Sequence, residues 1–471
     1  MGISRRSAIK GLAAVSASAG VASCSRGHRP TGQIETGSFG QAPEIPADPK
    51  RLLLNHGHAV EVMEKEGIDL LICSDPVNIQ YLTNQQPVDG KVGVDGQTYA
   101  ALSASPKRKP TLIGSRISYF FDAPDPALTS EVDFRFYGTP AEPEIFEQLE
   151  RGADIAAAPA KAFYLPRVHD EAPLSTLESR RFKQLERALV ELTASAEAAI
   201  LAEILATDFP NKTIAIDNLR LRSVVERSGM DLQIKDGERL IRQVRLRKSP
   251  LEITYMKYAA KANRLAARSA ALAVREGATF RDVRLEFAKA CGTYRHEPQF
   301  LMLDTHTSDL FGGEITEGRS FLMDAVSSFQ GYFGDYGRTV CVGEPNRKMK
   351  QITDVLSNVW DHILPELKPG TSYADIYGMA TKLYKDSGVD ANFAVNPHNV
   401  GMHHHDEPSA KDFGIGFSKE NIVLTENMVV SIDMPFLDVG LGGSAHLEDL
   451  VLITKDGPEL MNDSSDRLII V

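Results

Sequence analysis

Two hydrophobic periods alternate along the first half of the chain. In residues 51–83, the apolar positions recur every three or four residues and then merge into the continuous run DLLIC. This pattern predicts a helix, a buried strand, a loop and a second helix. PTLIGSR and KTIAIDN are further strand candidates, and a helix-rich stretch over 175–205 separates them. We therefore predict an α/β domain that extends to residue 243.

The pattern starts again at residue 244, which predicts a second domain. Ser249 and Pro250 open the apolar-rich segment 248–277, which ends at Gly277. Proline near the start and glycine past the end are typical of a helix, here of about 25 residues. The later segments alternate helical and β-rich patterns, and several strand candidates are close enough for antiparallel hairpins. The predicted fold class is thus α/β, with an α+β second domain.

Composition excludes some classes of function. The chain has 471 residues and a formal net charge of −11. It is long enough for two substantial cores, and its acidic balance argues against a nucleic-acid partner, which requires basic patches. Its cysteines form no CxxC pair, so neither a disulfide framework nor a thiolate zinc site is predicted.

Residues 1–24 are predicted to be an export signal. The basic segment SRRSAIK precedes an apolar run that ends in VASC and is too short to cross a bilayer as a helix. Arg5 and Arg6 resemble a twin-arginine signal, and VASC resembles a bacterial lipobox that makes Cys24 the lipidated first residue. The alternative is a cleavable signal in which Cys24 is incidental. We expect an exported, periplasmic protein with a lipid anchor to the membrane and a linker over 25–50.

A histidine-rich segment, NPHNVGMHHHDEP, occupies residues 396–408. Its spacing alone leaves three interpretations open: a metal site, a set of proton carriers, or a solvated loop. The choice depends on partners elsewhere in the chain.

Carboxylates at strand ends are the candidate partners. Asp324 and Asp335 lie in SFLMDAVSSFQGYFGDYGRT, which predicts two antiparallel strands around a turn. Asp433 closes another apolar strand, and Glu448 opens the next. Such carboxylates are costly in apolar surroundings unless they are paired or bind cations. With one imidazole they suit two divalent ions, although four unrelated strand-end acids remain the alternative.

In this order and context, Asp324, Asp335, His398 and Glu448 resemble the pita-bread metallopeptidases, namely aminopeptidase P, prolidase and relatives that include creatinase. SDPVNIQYLT, RLRKSPLEI, LKPGTSYADI, PHNVGMHHHDEP and HLEDLVLIT extend the resemblance over about residues 50–460. It implies a creatinase-like α/β domain over 51–243 and a catalytic pita-bread domain over 244–471. The second domain should contain a curved antiparallel sheet flanked by helices, and the family suggests a homodimer.

The resemblance also assigns residues. It implies two divalent ions (Mn, Fe, Co or Zn) and these ligands: Asp324, Asp335, His398, Asp433 and Glu448. His405 matches a second family histidine that faces the substrate and transfers protons or donates a hydrogen bond. His306 resembles an upstream histidine near the substrate, with His296 as the rival. His403 and His404 match no family role and are interpreted as flanking loop residues.

Two positions depart from the family pattern. Asp433 stands where the family usually has glutamate, so the ion beside His398 is expected to be bound more loosely or to be displaced. The family glutamate is also a candidate proton acceptor, which makes Asp433 a catalytic candidate. His446 stands where the family usually has arginine, and this removes a permanent cation that can form bidentate contacts.

The expected function is hydrolysis of an amide bond, often before proline, in a small peptide by metal-activated water. The first alternative is a metal-dependent enzyme that is not a peptidase: a lyase such as dimethylsulfoniopropionate lyase, or a hydrolase of a small non-peptide compound. The departures at Asp433 and His446 favour that alternative. The second is a non-catalytic binding protein, against which the retention of all the ligand-type side chains counts.

Overall fold

The computed structural model of the protein describes residues 52–87, 93, 96–115, 131–140, 160–161, 172–179, 192–308, 310, 312–414, 420–462 and 465–471. The predicted export signal, with Arg5, Arg6 and Cys24, and the predicted linker over 25–50 lie outside these residues. The domain boundary at residue 243 stays a prediction. Across the described part of the chain, no helix combines the length and apolar character needed to cross a membrane.

The first region contains a mixed sheet. Its strands are β1 Leu70–Cys73, β2 Thr98–Ser103, β3 Thr111–Ser115, β4 Asp133–Tyr137, β5 Thr139–Pro140, β6 Ala160–Lys161, β7 Leu192–Thr193, β8 Thr213–Ile216 and β9 Gln233–Asp236. The sheet order is β7-β4-β3-β2-β1-β8-β9, while β5 and β6 pair with each other. The described helices here are α1 His56–Glu66, α2 Pro76–Thr83, α3 Ala196–Leu205, α4 Arg222–Arg227 and α5 Gly237–Arg245.

Strand β1 shows why the run DLLIC has no polar face. Leu71 and Cys73 pack into one apolar cluster, while Leu70 and Ile72 pack into another. Successive strand residues point to opposite faces, so both faces of β1 are covered. The strands predicted from DLLIC, PTLIGSR and KTIAIDN are confirmed as β1, β3 and β8.

The second region contains a curled antiparallel half-barrel sheet with flanking helices, as predicted. Its strands are β10 Glu297–Leu303, β11 Ser320–Phe329, β12 Tyr332–Cys341, β13 Asn396–Asn399, β14 Val429–Phe436, β15 Ala445–Thr454, β16 Gly457–Leu460 and β17 Leu468–Ile470. The order is β10-β11-β12-β15-β14-β13, with β16 on β15 and β17 on β12. The helices are α6 Pro250–Leu272, α7 Phe280–Thr293, α8 Arg347–Ile363 and α9 Tyr373–Asp386.

Helix α6 begins where the sequence predicts. Ser249 is its N-cap and forms a capping box with Glu252, and Pro250 is the first helical residue. The helix ends at Leu272, before Gly277, and the amide of its C-cap Ala273 donates to the Ala270 and Ala271 carbonyls. Gly277 lies in the turn that follows, where its amide donates to the Ile315 carbonyl.

Small residues let α6 lie directly on β12. A Cβ at Gly334 would lie only 2.5 Å from the Ala259 carbonyl oxygen and 2.6 Å from the Asn263 Cβ. Helix α6 thus covers one face of the sheet at a distance that only glycine permits.

Alternation along the strands assigns the candidate ligands to the other face of the sheet. On β15, Leu447 and Val451 pack into the apolar cluster that contains α8 and α9. On β11, Met323 and Ala325 pack into the cluster that contains α6 and α7. Residues one position away on these strands therefore point to the opposite face. Glu448 and Asp324 are among them.

Candidate active site

Three neighbouring strands align two carboxylates around a glycine. In the strand register, Asp324 on β11 pairs with Gly337 on β12, and Gly337 pairs with Glu448 on β15. A Cβ at Gly337 would lie 2.5 Å from the His446 ring and 2.8 Å from the Glu448 Cβ. The glycine therefore opens the space between the two carboxylates that the His446 ring occupies.

Asp335 lies on the same face, two residues before Gly337 on β12. Its Oδ2 is 3.1 Å from His404 Nε2 and 3.6 Å from His398 Nε2. The Nε2 of His398 is also 3.3 Å from Glu448 Oε1, which accepts a 2.8 Å hydrogen bond from the Ser431 hydroxyl. His398 and its neighbours thus connect Asp335 with Glu448.

A hydrogen bond to the backbone fixes the orientation of the His398 ring. Its Nδ1 lies 3.1 Å from the His404 carbonyl oxygen. A carbonyl can only accept, so Nδ1 carries a proton, and Nε2 is the ring nitrogen that faces Asp335 and Glu448. This is the arrangement in which a histidine is held ready to ligate a metal.

The two positions that depart from the family pattern contact each other. Asp433 Oδ1 lies 2.7 Å from His446 Nε2, and Asp433 Oδ2 accepts a 3.3 Å hydrogen bond from Asn396. The Nε2 of His446 is also 3.5 Å from Glu448 Oε2. Asp433 therefore joins the cluster through His446.

Burial controls the protonation of the cluster. It raises the pKa of Asp324 and, together with the charges of neighbouring acids, raises the pKa of Asp335 and Glu448 well above their usual ranges. Burial alone would lower the pKa of His446, but the hydrogen bond and the charge of Asp433 raise it to about 9. For Asp433, contact with His446 outweighs burial and lowers the pKa of the carboxyl.

Unsatisfied atoms show that these residues fit divalent cations. Asp324 Oδ1, Asp335 Oδ1 and His446 Nδ1 are buried and have no hydrogen-bond partner among the described residues. Two triplets each offer ligand atoms within 4.8 Å of one another: Asp335, His398 and His404, and Asp324, His446 and Glu448. Carboxylate oxygens and imidazole nitrogens are suitable ligands for Mn, Fe, Co and Zn, and a bound cation would satisfy the orphan atoms.

The histidine-rich loop is held by helix α5. Arg245 forms a fully buried ion pair with Asp406, with Nη2 and Oδ1 2.8 Å apart. Asp406 Oδ2 also accepts the Met402 amide, and Arg242 donates to the His405 carbonyl at 2.7 Å. The His405 ring stacks on His398 with 4.1 Å between the ring centroids. The backbone that carries His404 and His405 is thus fixed at several points.

The structure brings together the side chains of Asp324, Asp335, His398 and Glu448, and their role as metal ligands stays a prediction. Asp433 is in neither triplet, so its role as a metal ligand stays a prediction. His405 lies beside His398, in keeping with a role near the substrate, which also stays a prediction.

The two upstream histidines have different surroundings. His306 is exposed in the turn after β10, with its Nδ1 3.0 Å from the Thr305 hydroxyl, and its catalytic role stays a prediction. His296 is buried and lies 2.9 Å from the Ser327 hydroxyl, which donates to Asn263 on α6. Ser327 is three residues from Asp324 on β11, so His296 is on the helix-covered face and not on the ligand face.

Sequence reasoning missed two histidines of the cluster. His404, interpreted as a flanking loop residue, contacts Asp335, and no strand or helix period relates it to His398. In the sequence, His446 stands out only as a replacement for the arginine that is usual in the family. Its position two residues before Glu448 on a strand is a signal that could have placed it on the ligand face.

Part of the chain is similar to known metallopeptidases. Residues 254–455 match Peptidase_M24, described as metallopeptidase family M24. The Xaa-Pro dipeptidase of Pyrococcus horikoshii is 26% identical over 246 residues, which cover 50% of this chain and 68% of that protein. The enzyme of the same name from Lactobacillus delbrueckii subsp. lactis is 31% identical over 148 residues, which cover 31% of this chain and 38% of that protein.

Solved structures show the same fold. Prolidase from Pyrococcus furiosus aligns with a TM-score of 0.57 and 19% identity over 86% of this chain and 99% of its own. The Xaa-Pro dipeptidase from Bacillus anthracis aligns with a TM-score of 0.59 and 17% identity over 88% and 100%. The fold is the pita-bread fold of these prolidase structures. The match to metallopeptidase family M24 covers the strands and the histidine-rich loop that carry the candidate ligands.

Proposed function

We propose that this protein is a metal-dependent Xaa-Pro dipeptidase that holds two divalent ions in the cluster of Asp324, Asp335, His398 and Glu448. The buried carboxylate oxygens without hydrogen-bond partners are the main support, because buried carboxylates require cations or protons. Relatives named Xaa-Pro dipeptidase support the substrate class. When bound, the ions lower the pKa of a coordinated water and polarise the scissile carbonyl.

The protein's own residues supply the remaining steps. Asp433 accepts a hydrogen bond from His446 beside Glu448, so the Asp433 carboxylate can take the proton that the attacking water loses. His405 lies at the edge of the cluster, against His398, where its imidazole can hold the tetrahedral intermediate or give a proton to the leaving amine. The buried Arg245–Asp406 pair orients the loop that carries His405.

The pairing of Asp433 with His446 favours a second candidate function. The pair changes both the proton acceptor and the positive charge beside Glu448, which supports a metal-dependent enzyme that is not a peptidase, such as a dimethylsulfoniopropionate lyase. Fold alone does not decide between these chemistries.

A substrate panel tests the proposal. The purified mature protein is stripped of metal, reconstituted separately with Mn, Fe, Co or Zn, and assayed with Xaa-Pro dipeptides, longer Xaa-Pro peptides and dimethylsulfoniopropionate. We expect metal-dependent release of proline from dipeptides, and Asp324→Asn, which removes a charged ligand without changing its shape, should abolish it. Cleavage of dimethylsulfoniopropionate alone would establish the lyase. Turnover of none of these substrates by protein that binds two ions would contradict the dipeptidase proposal.

We further propose that the protein is exported by the twin-arginine route, is lipidated at Cys24 and acts as a homodimer. Arg5→Lys with Arg6→Lys should leave the precursor in the cytoplasm, and normal export of that variant would refute the route. Cys24→Ala should release the protein from the membrane fraction, and sedimentation of the mature form tests the dimer.

A further inference from the structure

We propose that His404 and His446 are metal ligands, so that imidazole and carboxylate together hold each ion of the pair. Asp335, His398 and His404 would hold one ion, and Asp324, His446 and Glu448 the other. This inference rests on the proposed two-ion function and specifies its ligands.

His404 and His398 meet at the same carboxylate. Its Nε2 and the Nε2 of His398 both point at Asp335 Oδ2, at 3.1 and 3.6 Å. Their ring centroids are 5.0 Å apart and the ring planes are inclined by 64°. Two imidazole nitrogens and a buried carboxylate that converge in this way provide three ligands for one cation, the number that leaves a position open for water or substrate.

The loop holds His404 in that position. Its carbonyl accepts from His398 Nδ1, so the backbone of one imidazole residue orients the ring of the other. The ring of Phe300 meets the His404 ring edge-on with 5.4 Å between centroids. Asp406, two residues later, is fixed by the buried Arg245. A solvated surface histidine would have no such supports, so the placement is that of a positioned ligand.

His446 lies between the carboxylates of the other triplet. It lies two residues before Glu448 on β15, and its ring lies over Gly337, which pairs with both Asp324 and Glu448. Asp433 accepts the hydrogen bond of Nε2, which leaves Nδ1 as the ligand atom. Nδ1 is buried and has no partner among the described residues. A histidine oriented by a carboxylate on one nitrogen and directed at a metal with the other is a common metal-site arrangement.

The proposal gives Asp433 a different role from the one expected from the sequence. Asp433 would be a positioning residue that orients His446, and His446 would take the ligand position. The proposal also predicts which metal is preferred, because the two ions together would have three imidazole ligands. Imidazole suits Zn, Fe and Cu, whereas an oxygen-rich set suits Mn. We therefore expect Zn or Fe to be preferred over Mn.

The experiment measures metal binding without substrate. Metal-free wild type, His404→Ala and His446→Ala are dialysed against Zn or Mn and analysed for ions per chain, and Kd values are measured by titration. His403→Ala is the matched control, because it removes the neighbouring imidazole of the same loop from outside both triplets. We expect about two ions in wild type and in the control, and a fall towards one, with at least a tenfold weaker Kd for Zn, in each ligand variant.

X-ray absorption of the Zn-loaded protein provides an independent readout. The imidazole scattering per ion should fall in His404→Ala, whose remaining ion has the single imidazole of His446, and should rise in His446→Ala, whose remaining ion has both His398 and His404. It should not change in His403→Ala. His404→Gln and His446→Gln keep bulk and polarity if the alanine variants fail to fold, and they should lose metal in the same way. Two ions bound with unchanged Kd and imidazole scattering in the ligand variants would overturn the assignment while leaving the proposed function intact. Absence of metal binding in wild type would instead refute the proposed function.

Discussion

Asp433 Oδ1 lies 2.7 Å from His446 Nε2, across the neighbouring strands β14 and β15. These are the two positions at which the chain differs from the pattern of the family it resembles, so the two differences form one structural unit. The shorter carboxylate meets an imidazole where a longer carboxylate and a guanidinium are usual. The pair therefore determines the net charge and the number of bound protons beside Glu448.

Restoring the family residues tests this coupling. Asp433→Glu alone extends the carboxylate towards an imidazole that already contacts it, and His446→Arg alone places a larger cation against Gly337. We expect each single variant to lose at least about tenfold in kcat/KM and the double variant to recover part of the loss. Coupled neighbours typically show interaction free energies of about 0.5–3 kcal/mol. Losses that simply add in the double variant would show that the two positions act independently.

The raised pKa of His446 predicts a pH dependence in the metal-free protein. Its pKa rises from the usual 6.5 to about 9, mainly because Asp433 counteracts the effect of burial. The stabilisation is fully present below about pH 6.5 and is lost as the pH rises through about 9. We expect the Tm of the metal-free protein to fall across this window. The pKa values of the buried carboxyls Asp335 and Glu448 are also raised, so their ionisation at higher pH lowers the stability of the folded protein in the same way.

Asp433→Asn separates the His446 contribution from that of the other acids. It removes the negative charge, so the pKa of His446 should move back towards its usual value, as measured by histidine NMR in the metal-free protein. The decrease in Tm between pH 6.5 and 9 should become smaller. An unchanged His446 titration would show that Asp433 does not hold this proton.

Gly337→Ala tests whether the space over this glycine is required. The added Cβ would lie 2.5 Å from the His446 ring, so the ring or the strand must move. We expect a loss of about 1–3 kcal/mol of stability from overpacking and a weaker metal site. Gly378→Ala, in the interior of α9 with no atom within 4 Å of the new Cβ, is the control and should stabilise by about 0.5–1 kcal/mol. Normal metal content in Gly337→Ala would show that the site tolerates the methyl group.

Arg245→Met tests the buried ion pair that holds the histidine-rich loop. The substitution leaves Asp406 buried without its cation, which typically costs about 3–5 kcal/mol. Chemical denaturation should show this loss. Arg227→Met breaks a pair with Glu197 in which both side chains are partly exposed, and it should cost less than about 1 kcal/mol. Equal effects of the two variants would contradict a structural role for the Arg245–Asp406 pair.

The sequence predicts which side chains come together better than it predicts their individual contacts. Asp324, Asp335 and Glu448 stand out because they interrupt apolar strands, and the resemblance to the family adds His398. His404 lies in a loop whose course depends on Arg245 and Asp406, which are far apart in sequence. Local sequence patterns carry no information about such a contact. The alternation of side chains along strand β15, by contrast, can be read from the sequence, and it places His446 on the same face as Glu448.

His405→Gln separates proton transfer from metal binding. His405 stacks on His398 with 4.1 Å between ring centroids and is in neither metal triplet. Glutamine keeps polarity and similar bulk but cannot exchange a proton near neutral pH, so we expect kcat/KM on an Xaa-Pro dipeptide to fall by about 10²–10⁴-fold, the usual contribution of a general acid or base. Metal analysis should still find as many ions per chain as in wild type. Loss of an ion from His405→Gln would make His405 a ligand, and unchanged turnover would remove it from the mechanism.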